Sequence, residues 1–93
     1  MSTNYERGRQ YEYKSMRVLA AAGHEVSRTA GSHGPFDVLG ISANGLILVQ
    51  VKFNCRPTPA ELEQFKLLPV PPNCQKLIHI WKYRARDPQV IAL

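Results

Sequence analysis

The chain is short of acid, short of cysteine, and without any long apolar run. Its 93 residues carry 7 Asp and Glu against 12 Lys and Arg, for a formal net charge of +5. That balance suits a polyanionic partner, although many basic proteins bind none. The 2 cysteines, Cys55 and Cys74, lack the paired spacing of a zinc site, and no cluster of His and Cys accompanies them. No signal-peptide pattern is present, so free thiols in a reducing, cytoplasmic compartment are expected. No apolar stretch approaches the roughly 20 residues that span a bilayer, which removes the membrane as a partner. Repeats, low-complexity segments and internal linkers are also missing. What remains is one small domain over residues 1–93, with a modest core that association would help.

The most informative stretch runs from Asp37 to Lys52. Leu46 to Phe53 is a nearly continuous apolar run, as in a strand buried on both faces, interrupted only by Gln50 and Lys52. Phe36 to Ser42 is a shorter strand candidate, and Asn44-Gly45 between them is a strong hairpin signal. Alternation puts Leu46, Leu48, Gln50 and Lys52 on one side of the longer strand. A loop of Asn44-Gly45 alone sets Ala43 against Leu46 and Asp37 against Lys52. A loop of Ser42 to Gly45 sets Ile41 against Leu46 and Asp37 against Gln50. The loops differ by an even number of residues, so either register leaves Asp37, Gln50 and Lys52 on one face, roughly 5–8 Å apart. That spacing allows one metal ion to bridge Asp37 and Gln50 with the Lys52 ammonium beside it. A strand end whose polar side chains reach water is the alternative.

Around this hairpin the order reads helix, three strands, helix, two strands: an α/β fold, a small mixed sheet with helices packed on it. Thr3 to Glu6 fits a capping box, and the helix it opens runs to about Ala22, with Gly23 as its stop. Met16, Leu19 and Ala20 make its inward stripe; stepping back by fours from Met16 gives Glu12 and then Gly8. Glu12 therefore lies on or next to the buried stripe, where a carboxylate must be paired or coordinated unless it reaches water or pairs with Lys14 or Arg17. His24 to Ala30 reads as a strand with Val26 inward, followed by the loop Gly31-Ser32-His33-Gly34-Pro35. Thr58-Pro59-Ala60-Glu61 opens a helix to about Leu68, with Leu62 and Phe65 inward, and Pro69, Pro71 and Pro72 forbid its continuation. Lys76 to Tyr83 alternates as a strand, with Leu77, His79, Trp81 and Tyr83 on one face, and Gln89 to Ala92 makes a last short strand. His79 reads as a packed histidine rather than a ligand.

Four segments carry a resemblance: Gly8-Arg9-Gln10-Tyr11-Glu12, Arg28-Thr29-Ala30-Gly31-Ser32, Gly34-Pro35-Phe36-Asp37-Val38 and Val49-Gln50-Val51-Lys52. In these the chain, from Gly8 to about Tyr83, resembles the PD-(D/E)XK nuclease superfamily, and within it the archaeal and phage-type Holliday junction resolvases. The resemblance implies a restriction-endonuclease-like core in a single nuclease-like domain. It implies that Asp37, residue 50 and the Val51 carbonyl hold a divalent metal, usually Mg²⁺ with Mn²⁺ as substitute, and that Glu12 completes the acidic cluster. By the same resemblance Lys52 positions or activates the attacking water and Ser32 matches a serine important in the resolvases. The partners implied are branched DNA, above all four-way junctions, and a second copy of the chain in a homodimer.

The departure from the family pattern is Gln50, where the usual residue is an acid. An amide oxygen is a ligand of the type Mg²⁺ takes, but the site loses a negative charge, so weaker metal affinity and a larger share for Glu12 are expected. Arg7, Arg9, Arg28, His33 and Arg56 are the expected phosphate contacts, reading shape rather than sequence. The leading expectation is a metal-dependent, structure-specific DNA endonuclease. The alternatives are a repair or restriction-type nuclease of the same superfamily acting on other DNA, a non-catalytic DNA-binding relative, and a plain interaction domain.

Overall fold

The computed structural model describes residues 4–29 and 34–93, with backbone alone for residues 4–7. In chain order the elements are α1 (Asn4–Ala21), β1 (Glu25–Arg28), β2 (Val38–Ser42), β3 (Gly45–Phe53), α2 (Pro59–Leu67), β4 (Cys74–Trp81) and β5 (Gln89–Ala92). The strands form one five-stranded sheet in the order β1-β2-β3-β4-β5. Only β3 and β4, joined by the α2 crossover, run parallel; the other neighbours are antiparallel. This is the mixed α/β architecture expected from the order of hydrophobic periods.

The sheet has a core on each face. Against α1 pack Val38 and Val49 with Leu19, flanked by Met16, Val26, Ile47, Val51 and Leu77. On the α2 side Leu48, Ile78 and Ile80 enclose Phe65, which is fully buried, with Leu39 and Leu62 around them. Alternation along β3 therefore sends Leu48, Gln50 and Lys52 toward α2, and Val49, Val51 and Phe53 toward α1.

Along α1 the buried ladder is Tyr11, Ser15 and Leu19, spaced by four; Met16 is half-buried beside it and Ala20, expected inward, is exposed. The true stripe is thus rotated from the one traced through Met16, and Glu12 stands at its margin. A polar residue in the middle of the ladder is stable because Ser15 has partners: its Oγ accepts the Trp81 indole N–H at 2.9 Å and lies 2.9 Å from His79 Nδ1. At the far end Gly23 takes φ 96°, and the Gly23 and His24 N–H groups return to the carbonyls of Ala20 and Leu19. The Thr3–Glu6 capping box lies outside the described residues.

The hairpin follows the second of the two registers: Ile41 faces Leu46, and Ser42 also pairs with Gly45, leaving Ala43-Asn44 as the loop. Asn44-Gly45 is therefore not the turn itself. Only Gly45 takes positive φ, at 136°, and it does so where a Cβ would collide with the Asn73 carbonyl oxygen, which accepts the Leu46 N–H at 3.0 Å. The glycine serves a close backbone approach at the start of β3.

Helix α2 begins as its sequence reads: Thr58 is the N-cap, Pro59 opens the helix, and Glu61 closes the capping box. Its other end is tied to β4 by the Lys76 ammonium, which donates to the carbonyls of Lys66 and Leu68. Strand β4 stops at Trp81, two residues earlier than the alternation suggested; Arg84 at φ 62° turns the chain and Tyr83 is exposed. Among the described residues no helix is long and apolar enough to cross a membrane.

Candidate active site

Asp37 lies one position before β2 and is pinned from both sides. Its N–H donates to the Val49 carbonyl at 2.8 Å, and its carbonyl accepts the Thr29 N–H at 2.9 Å, while the Thr29 hydroxyl is shared between the Phe36 carbonyl at 3.1 Å and the Asp37 carbonyl at 3.2 Å. The β2–β3 ladder ends with Val38 against Val49, and Asp37, one residue before it, donates to that same Val49 carbonyl, so it sits just beyond the last regular pair, beside β3. The side chain is fixed as well: Oδ2 accepts the Val51 N–H at 2.8 Å. Burial pushes the Asp37 carboxyl above its ordinary value; the carboxylates of Glu12 and Glu61 add to this, while the Val51 N–H and the Lys52 charge oppose it. A carboxylate made reluctant to ionise by burial and like charge is one that gains from a cation.

Gln50 is 6% exposed, and its Oε1 is a buried side-chain oxygen without a donor among the described residues. An orphaned buried acceptor costs about 1–3 kcal/mol, which a bound cation would relieve. Lys52, two residues on and on the same face, donates to Glu61 Oε2 at 2.5 Å. The ion pair with α2 gives this lysine a structural partner as well as a place beside Asp37.

Glu12 approaches from the α1 side. It pairs with Arg28 at 3.0 Å rather than with Lys14 or Arg17, and its charge still reaches Asp37. Arg28, expected on the DNA surface, is thereby drawn into the site: its side chain is 14% exposed, and its guanidinium also lies over the Tyr13 ring at 5.0 Å. Its first task is to hold Glu12.

Gln50 and Lys52 thus share one face of β3, and the Asp37 carboxylate, on the Val51 N–H between them, lies at the same end of the sheet, within reach of the charges of Lys52 and Glu12. Arg9 is half-buried on α1. Arg56 is exposed after β3, on a groove it shares with Leu62 and Ile91, and the structure does not bring it to the carboxylates. Ser32 and His33 lie outside the described residues, as does the side chain of Arg7. Two residues went unassigned in the sequence. Glu61 was read only as a cap, and a capping-box glutamate is the one signal that a carboxylate of α2 stands at the end of β3. Thr29 sits inside the resemblance but carries no pattern that marks it as the clamp on Asp37.

The donor set fits a small hard cation: a carboxylate, an unpartnered amide oxygen and a main-chain carbonyl are all oxygen ligands of the kind Mg²⁺ takes. Among the described residues no three of His, Cys, Asp and Glu gather closely enough to hold an ion alone, so the set depends on Gln50 and the backbone.

The architecture is a mixed α/β fold with one five-stranded sheet. Its solved structural neighbours include the 1.6 Å structure of Archaeoglobus fulgidus Hjc, a Holliday junction resolvase from an archaeal hyperthermophile. The two agree with a TM-score of 0.73 at 18% identity, over 89% of this chain and 73% of that one. The likeness at that identity is one of fold. No family model and no curated protein matches the sequence.

Proposed function

We propose that the chain is a divalent-metal-dependent endonuclease that cuts branched DNA, four-way junctions above all, as a homodimer. The observation that carries the proposal is the convergence at one end of β3 of the Asp37 carboxylate, held on the Val51 N–H, with the buried unpartnered Gln50 oxygen and the Lys52 charge, in a fold similar to that of a solved junction resolvase. A bound Mg²⁺, or Mn²⁺ in its place, supplies polarisation of the scissile phosphate and a more acidic attacking water. Asp37, the Gln50 Oε1 and the Val51 carbonyl are the groups that would hold it, with Glu12 completing the oxygen set directly or through water. The Lys52 ammonium offers a proton donor and a positive charge to a phosphate oxygen and orients the incoming water. Arg28 keeps Glu12 in place, and Arg9 and Arg56, with Arg7, Ser32 and His33 near the site in sequence, are the proposed contacts to the DNA. One chain presents one such site, and paired cuts in a junction need two, which is the reason for a homodimer. Four-way, Y-shaped and linear DNA should be incubated with the protein and Mg²⁺; junction cleavage well above linear cleavage is expected. Preference for linear duplex would instead favour a repair or restriction-type nuclease.

A second reading, a non-catalytic DNA-binding relative, draws on the missing acid at position 50. Gln50→Glu separates the two. Adding a charge beside the ion is expected to lower the Mg²⁺ concentration for half-maximal cleavage roughly tenfold, as one extra charge at close range does in a partly buried site. A variant that binds junctions without any metal-dependent change would favour the binder.

A further inference from the structure

We propose that Glu61 is a positioning residue of the cation site: its carboxylate neutralises the Lys52 ammonium beside Asp37, so that a divalent ion is accepted although its second strand ligand is a neutral amide. The inference rests on the nuclease reading and assigns a role to a residue that reading leaves out.

The charges show the need. At this end of β3 the described residues of the sheet supply Asp37 as an anion, Gln50 as a neutral donor and Lys52 as a cation. Glu12 reaches in from the other side, but its charge is already matched by Arg28 at 3.0 Å. Without α2 the cluster would sum to zero, and an incoming cation would meet an ammonium one strand repeat away, roughly 7 Å along β3. Glu61 returns the sum to one negative charge.

The geometry says how Glu61 acts. Its Oε1 accepts the Thr58 N–H at 2.9 Å, and its own N–H donates to Thr58 Oγ1 at 3.1 Å. A capping box asks for nothing more than that pair. The second carboxylate oxygen is surplus to the cap, and it is the one on Lys52. Held at the first turn of α2, Glu61 does not swing freely toward an ion, so it works through the lysine. Side-chain exposures of 21% for Lys52 and 36% for Glu61 leave the pair partly shielded from water. The Lys52 hydrogen bond, then the Thr58 N–H, hold the Glu61 carboxyl below its ordinary value, so the charge is present throughout the neutral range.

The test is Mn²⁺ binding to the DNA-free protein, read by the electron paramagnetic resonance of free Mn²⁺. Glu61→Gln keeps an oxygen for the Thr58 N–H and removes only the charge, so the melting temperature should stay near wild type while Mn²⁺ binds roughly tenfold more weakly. Lys52→Met/Glu61→Gln removes both members of the pair and should bring Mn²⁺ affinity back to near the wild-type value. Lys52→Met alone, which leaves the α2 cap whole, should bind Mn²⁺ more tightly than wild type. Unchanged binding by Glu61→Gln would reduce the residue to a helix cap and overturn the proposal while leaving the nuclease reading standing. A double variant as weak as Glu61→Gln would make Glu61 a ligand in its own right and overturn it too. Failure of the wild-type protein to bind Mn²⁺ would take down the nuclease reading and this inference together.

Discussion

Asp37→Asn is expected to abolish cleavage and at the same time to stabilise the metal-free protein at neutral pH. The two effects have one origin. In the folded chain burial, reinforced by the carboxylates of Glu12 and Glu61, raises the Asp37 carboxyl above its ordinary value of 3.8. Between that value and the raised one, the folded state holds more protons than the unfolded state. Ionised Asp37 therefore lowers stability at neutral pH, and the penalty is relieved as pH falls through the raised value. Asparagine cannot ionise, and its amide oxygen still accepts the Val51 N–H that Oδ2 accepts now at 2.8 Å. The penalty is removed and the hydrogen bond kept. Cleavage should fall by roughly 10²–10³-fold or more, the scale seen when a preorganised electrostatic group is lost. Urea unfolding at pH 7 with a chelator present, alongside junction cleavage in Mg²⁺, reads both. A variant that is inactive and also less stable would show that ionised Asp37 is on balance a structural group, and the reading of the site would lose its anchor.

How the sequence encodes this site differs from residue to residue. That Gln50 and Lys52 share a face of β3 was legible from alternation alone, whereas Asp37 lies one residue beyond the last regular pair, Val38 with Val49, and its N–H goes to that same Val49 carbonyl, which no parity argument foresees. Of the two candidate loops the second gives the observed register, with Ser42 and Gly45 also paired; Gly45 is there for the approach of the Asn73 carbonyl, some 28 positions away in sequence, and not for a local turn preference. The α1 stripe was read one row off because the buried ladder passes through Ser15. A serine scores as surface until its partners His79 and Trp81 are known, and they are 64 and 66 residues distant. Glu12, read as on or next to the stripe, stands beside it, but its partner is Arg28 of another element and not Lys14 or Arg17, which helical spacing does not reveal. Glu61 was found for its first job and not for its second, because a capping box is a local pattern and the contact with Lys52 is made only when α2 folds back over β3. Local signals thus mark the elements and the faces of the strands; the buried row of α1 and the pairings that tune charge are tertiary.

The second large effect concerns acid. His79 is 1% exposed, and burial lowers its folded-state pKa from 6.5 to about 4. Its Nδ1 faces Ser15 Oγ, which already accepts the Trp81 indole N–H and so has its own proton to offer, an arrangement suited to a neutral imidazole. Above pH 6.5 the ring is neutral in both states and the full stability is present. As pH falls from 6.5 toward 4 the unfolded chain takes up a proton that the folded chain refuses, and stability drops; below the folded value this group removes no more. Carried across the window, the loss is about 3 kcal/mol, a large part of the roughly 5–15 kcal/mol that holds a domain together. The upper part of the window belongs to His79 among the shifted groups described: Asp37 acts with the opposite sign, and the loss of the Lys52–Glu61 pair begins only below the ordinary glutamate value of 4.5. Urea unfolding followed by the fluorescence of Trp81, the chain's 1 tryptophan, is expected to show stability falling by up to ~1.4 kcal/mol per pH unit in this range. In His79→Gln the slope between pH 6.5 and 5 should flatten, whatever the variant costs at pH 7. A slope that persists would place the acid sensitivity in another group and leave the Ser15–His79–Trp81 contact as packing alone.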